Sequence, residues 1–538
     1  MKPILLYDTT LRDGTQGENI NFSVDDKIAV AKRLDRFGIH YIEGGWPGSN
    51  PRDKLFFERV KPIPFQHAKL AAFGATRRPG ISPEDDQNLE AVLESGTPVV
   101  TIFGKSWTLH VEEVMENTLK ENLAMIRDTM AYLKAKGREV VYDAEHFFDG
   151  YKDDPDYAIE TLLAAAEGGA ESIVLCDTNG GTLPHEIEAV VRRVNGRLAE
   201  NHGFTAGGRS IVLGIHTHND CGLAVANTLA AVRAGATMVQ GTINGYGERC
   251  GNADLITLIP IIALKLNRPC IPPENLIYLK RISQIISETA NIIPLNSRPF
   301  VGKSAFAHKG GIHVSAIMKT PKAYEHIDPE LVGNSRRVLV SDLSGKSNIE
   351  YKARELGIEL GGNGYDSRKI VSRIKDLEQN GYQFDAAEGS FRILVQKLTD
   401  QFHPPFELES FRVTIEKNGD EPCNAHATIK ISVGGKQEIT AAEGDGPVSA
   451  LDNALRKALQ TFFPEINSMH LVDFKVRVID GREGTASKVR VLIDSGDQDH
   501  IWSTIGVSKD IIEASWKALE DSFQYKLSAV KTSDTHGV

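Results

Sequence analysis

Cysteine is scarce in this chain of 538 residues: Cys176, Cys221, Cys250, Cys270 and Cys423 form an odd, scattered set with no C-x-x-C pair. That excludes a disulfide framework and a cysteine zinc cluster, and points to a reducing compartment with buried, inert thiols. Long apolar runs are missing too. The opening Met1-Lys2-Pro3-Ile4-Leu5-Leu6-Tyr7-Asp8 meets a charge after a few apolar residues, and no later stretch approaches membrane-spanning length. A cytoplasmic protein with no membrane partner is the expectation. A surplus of basic residues is equally absent. The 61 Lys and Arg face 72 Asp and Glu, a formal charge of -11, which argues against nucleic acid as a partner. An acidic substrate then has to be held by local cations. With 41% hydrophobic and 25% charged residues, the remainder reads as an ordinary globular chain of two or three domains.

The most informative stretch is His216-Thr217-His218, at the end of the apolar run Ser210-Ile-Val-Leu-Gly-Ile215. Alternation along a strand points residues i and i+2 to one side, so two imidazoles converge. Two solvated histidines at a strand end are the bland alternative. Two oxygen donors occupy equivalent places elsewhere: Asp13 in Leu11-Arg12-Asp13-Gly14 after the first apolar run, and Asn252 in Gly251-Asn252 after the last.

Short β-rich runs separated by helical patterns fill the first half, the signature of repeated βα units. Eight runs are found: Ile4 to Tyr7, Tyr41 to Glu43, Lys69 to Phe73, Val99 to Phe103, Glu139 to Asp143, Ser172 to Cys176, Ile211 to His216, and Met238 to Thr242. That number closes a (β/α)8 TIM barrel over residues 1–270; an open doubly wound sheet is the alternative. The first helix is the best marked, with Ser23 and Asp26 as a capping pair, Ile28, Ala31 and Leu34 as an apolar stripe, and Gly38 as its stop. Polar residues crowd the segment after each strand, Glu43, Glu145 and Thr178 among them. In such barrels the carboxyl ends of the strands carry the ligands and the chemistry.

After about residue 270 the alternation stops. Residues 271–405 read as a helical subdomain that completes the site, ending in the hinge Pro404-Pro405. Residues 406–538 read as a duplicated α+β regulatory domain, a βββα unit repeated after about 60 residues. One copy has Phe411 to Ile415, Ala427 to Ile431 and a helix from Val448 to Leu459. The other has Phe474 to Val478, Lys488 to Leu492 and a helix from Ser508 to Phe523. Matching units suggest small-molecule binding or dimerisation at their junction.

Two imidazoles, a carboxylate and an amide oxygen leave coordination positions open, a set that suits Mg, Mn, Zn or Co rather than a closed structural zinc. A 2-oxo acid would chelate such an ion, which would act as Lewis acid on the ketone. Arg12, beside Asp13, is placed to stabilise alkoxide charge, or else is simply paired with Glu43. Neither Gly245 to Gly251 nor the Gly-Lys-Ser triplets at 302 and 345 have the spacing of a nucleotide-binding loop.

Asp8-Thr9-Thr10-Leu11-Arg12-Asp13-Gly14, Ile42-Glu43-Gly44, His216 to Asp220 and Asn244 to Asn252 together resemble the hallmarks of the acyl-CoA condensing synthases built on metal-dependent barrels. The resemblance runs on through Gly302 to His313, similar to that family's post-barrel segment, and through Ala442 to Ser449 with Gly506-Val507-Ser508, similar to its regulatory domain. The family includes 2-isopropylmalate, homocitrate and citramalate synthases, which join acetyl-CoA to a 2-oxo acid. The segment Glu43-Gly44-Gly45-Trp46-Pro47-Gly48-Ser49-Asn50-Pro51-Arg52-Asp53 looks like the citramalate branch, which implies pyruvate as acceptor.

Carried onto this chain, the resemblance implies Asp13, His216 and His218 as ligands of Mg, Mn or Zn, with Asn252 nearby. It implies Arg12 and Glu43 beside the metal, Glu145 as catalytic glutamate, and Thr178 as the group holding the oxo acid's carboxylate. His313 and Tyr324 resemble groups supplied by a neighbouring subunit, so a homodimer is implied. Deprotonating the acetyl-CoA methyl needs a base, for which Glu145 and His313 are the candidates, unless Glu145 is only salt-bridged. Isoleucine is the implied feedback ligand of the terminal repeat. Three other readings stand against this one: the same reaction on 2-oxoisovalerate with leucine feedback, a lyase running the reverse chemistry, and a silent amino-acid sensor on the same scaffold.

Overall fold

The computed structural model describes residues 2–200, 205, 206, 209–341, 344–356, 358, 367–420, 422–479, 487–498 and 500–533, so the segment expected as regulatory domain is described as far as Ser533. The chain folds into two compact units, one of residues 1–306 with 327–335, the other of residues 307–326 with 336–538.

The first unit is built on β1 (Leu5–Asp8), β2 (Tyr41–Gly45), β3 (Lys69–Ala75), β4 (Val99–Lys105), β5 (Glu139–Glu145), β6 (Ser172–Asp177), β7 (Val212–Thr217) and β8 (Met238–Gly241). They form a closed, all-parallel barrel in the order β1-β8-β7-β6-β5-β4-β3-β2, so the expected TIM barrel is the fold and the open sheet is excluded. Each apolar run is found as a strand, and most run one or two residues further, into the polar residue that follows. The pairs Leu5↔Met238 and Tyr7↔Gln240 join β1 to β8, and Val239↔Ile215 joins β8 to β7. Neighbouring positions on one strand face opposite ways. Tyr7, Tyr41, Val99, Val141, Val174 and Met238 pack inside the barrel. Their neighbours, such as Leu6, Ile42, Val100, Val140, Ile173 and Val239, join the helices in the outer core.

Helix α1 (Val24–Phe37) begins in the expected capping box: Ser23 accepts from Asp26 N while the Asp26 carboxylate accepts from Ser23 N. It stops at Gly38, whose φ of 99° would strain any other residue. Helix α2 (Pro51–Val60) follows β2.

In the second unit, β9 (Glu407–Glu416), β10 (Asn424–Val433) and β11 (Lys436–Gly444) lead into α3 (Pro447–Leu459). The same order recurs in β12 (His470–Val478), β13 (Val489–Gly496), β14 (Ile501–Ser508) and α4 (Ile511–Ser533). Both sheets are antiparallel, and one core holds Ile429, Leu451 and Leu455 from the first copy with Ile493, Trp502 and Phe523 from the second. Apolar pattern alone does not mark β11, which is polar and largely exposed. The second helix also starts later than its apolar pattern indicates. Ser508 ends β14, and Asp510 caps the helix by accepting from Ile512 N and Glu513 N.

Among the described residues no helix is long and apolar enough to cross a membrane. All five cysteines are free; Cys176 and Cys270 are buried, while Cys221, Cys250 and Cys423 are exposed, against the expectation of buried thiols. Those three lie in loops, where a small apolar side chain has no core to enter.

Candidate metal centre and active site

Barrel closure brings the two ends of the barrel sequence together. Asp13 sits in the loop after β1; β8 lies beside β1, and β7 beside β8. His216 is on β7 with its side chain turned inward, and His218 follows just past the strand. His216 Nε2 stands 3.2 Å from Asp13 Oδ2 and 3.3 Å from His218 Nε2. All three side chains are buried, and they are the group of His, Cys, Asp and Glu that can share one ion among the described residues.

Electrostatics suit that role. Burial alone would raise the Asp13 carboxyl, but Arg12, His216 and His218 outweigh it and hold Asp13 well below the usual carboxylate range. Burial and the adjacent His216 push His218 down to about 3, which keeps its imidazole neutral. His216 Nδ1 donates to Gln240 Oε1 at 2.8 Å, which leaves Nε2 for the converging group. Asn252 pairs with His218 through the backbone, and both polar atoms of its buried side chain lack a hydrogen-bond partner, as does His218 Nδ1. Buried polar atoms are nearly always satisfied, so an orphaned amide beside two imidazoles and a carboxylate marks a place for a missing partner. The donor set fits a divalent cation with open positions.

Arg12 lies beside this group. Its Nε donates to Glu43 Oε1 at 2.6 Å, Nη1 is 3.7 Å from Asp13 Oδ1, and the guanidinium carbon is 3.9 Å from the centre of the Phe73 ring. Glu43 also accepts from the Tyr7 hydroxyl at 2.8 Å and is fully buried in the middle of β2. Arg12 is therefore both paired with Glu43 and held against the triad.

An aromatic wall faces the triad. Trp46 meets Phe73 and Phe103 edge-on, each at 5.6 Å, and those two rings stack at 5.4 Å. Trp46 is fixed at two points: Nε1 donates to Asn88 Oδ1 at 2.6 Å and its backbone N to Asp53 Oδ2 at 2.9 Å. Asp53, on α2, forms a buried ion pair with Lys27 of α1, and Lys27 also donates to Gly44 O. The close approach needs glycine at 45, since a Cβ there would stand 2.3 Å from Asp53 Cγ at a φ of 147°.

Glu145 ends β5 and pairs with Lys105 at the end of β4. Thr178 Oγ1 accepts from His146 N at 2.8 Å. Arg249 donates to Thr178 O at 2.7 Å and to both oxygens of Asp220, which ties together the loops after β6, β7 and β8. Arg12, Asp13, Trp46, Phe73, Phe103, Asp143, Glu145, Thr178, His216, His218 and Arg249 line one cavity of about 210 Å³.

Of the residues read from sequence, the structure thus gathers Arg12, Asp13, Glu145, Thr178, His216 and His218 around one cavity, with Glu43 and Asn252 directly behind. His313 and Tyr324 belong to the second unit, where their exposed rings lie 4.3 Å apart. Sequence reading does not pick out Gln240, Asp143, Phe73 and Phe103. The available signal is a polar residue at an inward position of an apolar strand, as in Met238-Val239-Gln240 and Val141-Tyr142-Asp143.

Comparison with known proteins decides which chemistry this frame belongs to. Residues 3–286 match the HMGL-like family, 300–382 the homocitrate synthase post-HMGL domain-like family, and 385–527 the LeuA allosteric (dimerisation) domain. The chain is 52% identical to the (R)-citramalate synthase of Geobacter sulfurreducens over 98% of each chain. It is 51% identical to that of Aquifex aeolicus over 97% of this chain and 98% of the other. It belongs to the citramalate synthase family. A 2-isopropylmalate synthase of Halalkalibacterium halodurans is 29% identical over the full chain, so the branch read from Glu43 to Asp53 is the one whose members this chain shares more with.

Proposed function

We propose that the chain joins acetyl-CoA and pyruvate, with water, to give citramalate and CoA. The observation that carries the reading is the convergence of Asp13, His216 and His218 beside Arg12 in a small cavity that Trp46 also lines, in a chain half identical to citramalate synthases throughout its length.

Asp13, His216 and His218 would hold a divalent cation, with Asn252 as a further oxygen donor; Mn, Zn and Mg all accept such a set. When bound, the cation supplies Lewis acidity at the acceptor's ketone. Arg12, its position set by Glu43 and Phe73, presents positive charge where the alkoxide forms. The Thr178 hydroxyl, already accepting from His146 N, has its proton free to donate to the oxo acid's carboxylate. Glu145 takes a proton from the acetyl methyl group, and Lys105 orients its carboxylate. The carbon nucleophile adds to the ketone, and hydrolysis of the thioester releases CoA. Trp46, Phe73 and Phe103 shed water from the reacting face and restrict the acceptor to a methyl-sized substituent. His313 and Tyr324 act in a homodimer, on the partner's site. Isoleucine binds the paired βββα units and favours a less active state, in a cytoplasmic enzyme.

The test is release of CoA thiol from acetyl-CoA with a panel of 2-oxo acids, with and without isoleucine or leucine. Pyruvate should be preferred over 2-oxoisovalerate by at least about tenfold in kcat/KM. Preference for 2-oxoisovalerate with leucine inhibition would replace this reading with a 2-isopropylmalate synthase.

A further inference from the structure

Gln240 is a fully buried amide on β8, in a strand otherwise apolar or glycine, and nothing in the reaction just described uses it. Its two polar atoms face in different directions and both are engaged. Oε1 accepts from His216 Nδ1 at 2.8 Å, and Nε2 donates to Asp143 Oδ1 at 2.9 Å. Asp143 in turn lines the substrate cavity. A continuous chain therefore runs from the cavity wall through Asp143 and Gln240 to the imidazole whose other nitrogen meets Asp13 and His218.

We propose that Gln240 is the positioning residue of the cation site: it holds His216 with Nδ1 protonated and Nε2 presented to the ion, and links that site to Asp143 in the substrate cavity. This rests on reading Asp13, His216 and His218 as the cation site. An amide is the side chain that does both jobs at once, since it accepts from one neighbour and donates to the other. A methionine would do neither. A glutamate would still accept from His216, but would set a second carboxylate against Asp143, in a barrel end that already holds Asp8, Asp13 and Glu43 buried. Burial, with Glu43 adding to it, already pushes the Asp143 carboxyl up to about 7, which leaves little tolerance for another negative charge. Partners behind a metal-binding imidazole typically change affinity by about 10- to 100-fold when removed.

The test uses the whole chain, stripped of metal with a chelator, and measures Mn2+ affinity by competition with an indicator. Gln240→Met should bind Mn2+ about 10- to 100-fold more weakly than the unaltered protein, with far-ultraviolet circular dichroism unchanged. Gln240→Asn, which keeps the amide but is too short to span both partners, is the second variant should the methionine not fold, and should weaken binding by about tenfold. The double variant Gln240→Glu, Asp143→Asn keeps an acceptor for His216 Nδ1 and reverses only the bond at position 143, where the asparagine amide donates to the glutamate, and should recover affinity to within a small factor of the original. Unchanged Mn2+ affinity in Gln240→Met, or a double variant as weak as the methionine, overturns the role of Gln240 while leaving the cation site standing. Absence of Mn2+ binding in the unaltered protein overturns the site itself.

Discussion

Asp13 follows the first barrel strand and His216 lies on the seventh, yet Asp13 Oδ2 and His216 Nε2 are 3.2 Å apart. Nothing local in the chain brings them together. The contact exists because the barrel closes, with β8 as the single strand between their own. Any change that disturbs closure should therefore show first at the cation site.

Removing the carboxylate tests that site directly. Asp13→Asn keeps the side chain's size but removes the charge that Arg12, His216 and His218 stabilise. Mn2+ should dissociate at least about tenfold more readily, and kcat/KM should fall by about a thousandfold or more. Metal content after gel filtration and CoA-thiol release together check this. Chelation should abolish activity in the unaltered protein, and Mn2+ should restore it.

Arg12→Lys retains positive charge but loses the planar group that bonds Glu43 while lying against Phe73. The expected result is a drop in kcat of about 100-fold or more, with a smaller change in the KM for pyruvate. A raised KM for pyruvate with kcat unchanged would mean that Arg12 serves binding rather than the transition state.

Trp46→Leu removes the ring that meets both Phe73 and Phe103. The cavity should widen toward larger acceptors. The ratio of kcat/KM for 2-oxobutyrate to that for pyruvate should rise by about tenfold. Asn88→Ala, which frees the indole N–H without removing the ring, should move the ratio the same way by less. These steady-state ratios are independent of how much enzyme is active.

Burial pushes the Asp8 carboxyl up to about 7, although Thr10 N and Oγ1 both donate to it. An unfolded aspartate titrates near 3.9, so between about pH 4 and pH 7 the folded state binds more protons than the unfolded one. Stability from this group is present at the acid end and is lost as pH rises through that window. Asp8→Asn removes the titration. The melting temperature of the variant minus that of the unaltered protein should therefore increase steadily from pH 4.5 to pH 7.5; a flat or falling difference would refute the assignment.

Much of this fold and site is legible in the sequence itself. Strands were marked by β-branched runs that end in polar residues, and the triad by the period of two that aligns His216 with His218. The capping box at Ser23 was legible because it is local. What depends on neighbours across the barrel was not. Gln240 matters only because β8 lies against β7, and Phe73 and Phe103 stack only because β3 and β4 are adjacent. The fixing of Trp46 by Asn88 and by the Lys27–Asp53 pair draws on three separate helical or loop segments, and no spacing in the sequence announces it.

The most direct measurement is anomalous diffraction from crystals grown with Mn2+ and pyruvate. The account predicts one strong peak within coordination distance of Asp13, His216 and His218, with pyruvate bound beside Arg12 and Thr178. Fully ordered side chains at those positions with no peak between them, or a peak elsewhere with pyruvate beside it, would contradict it.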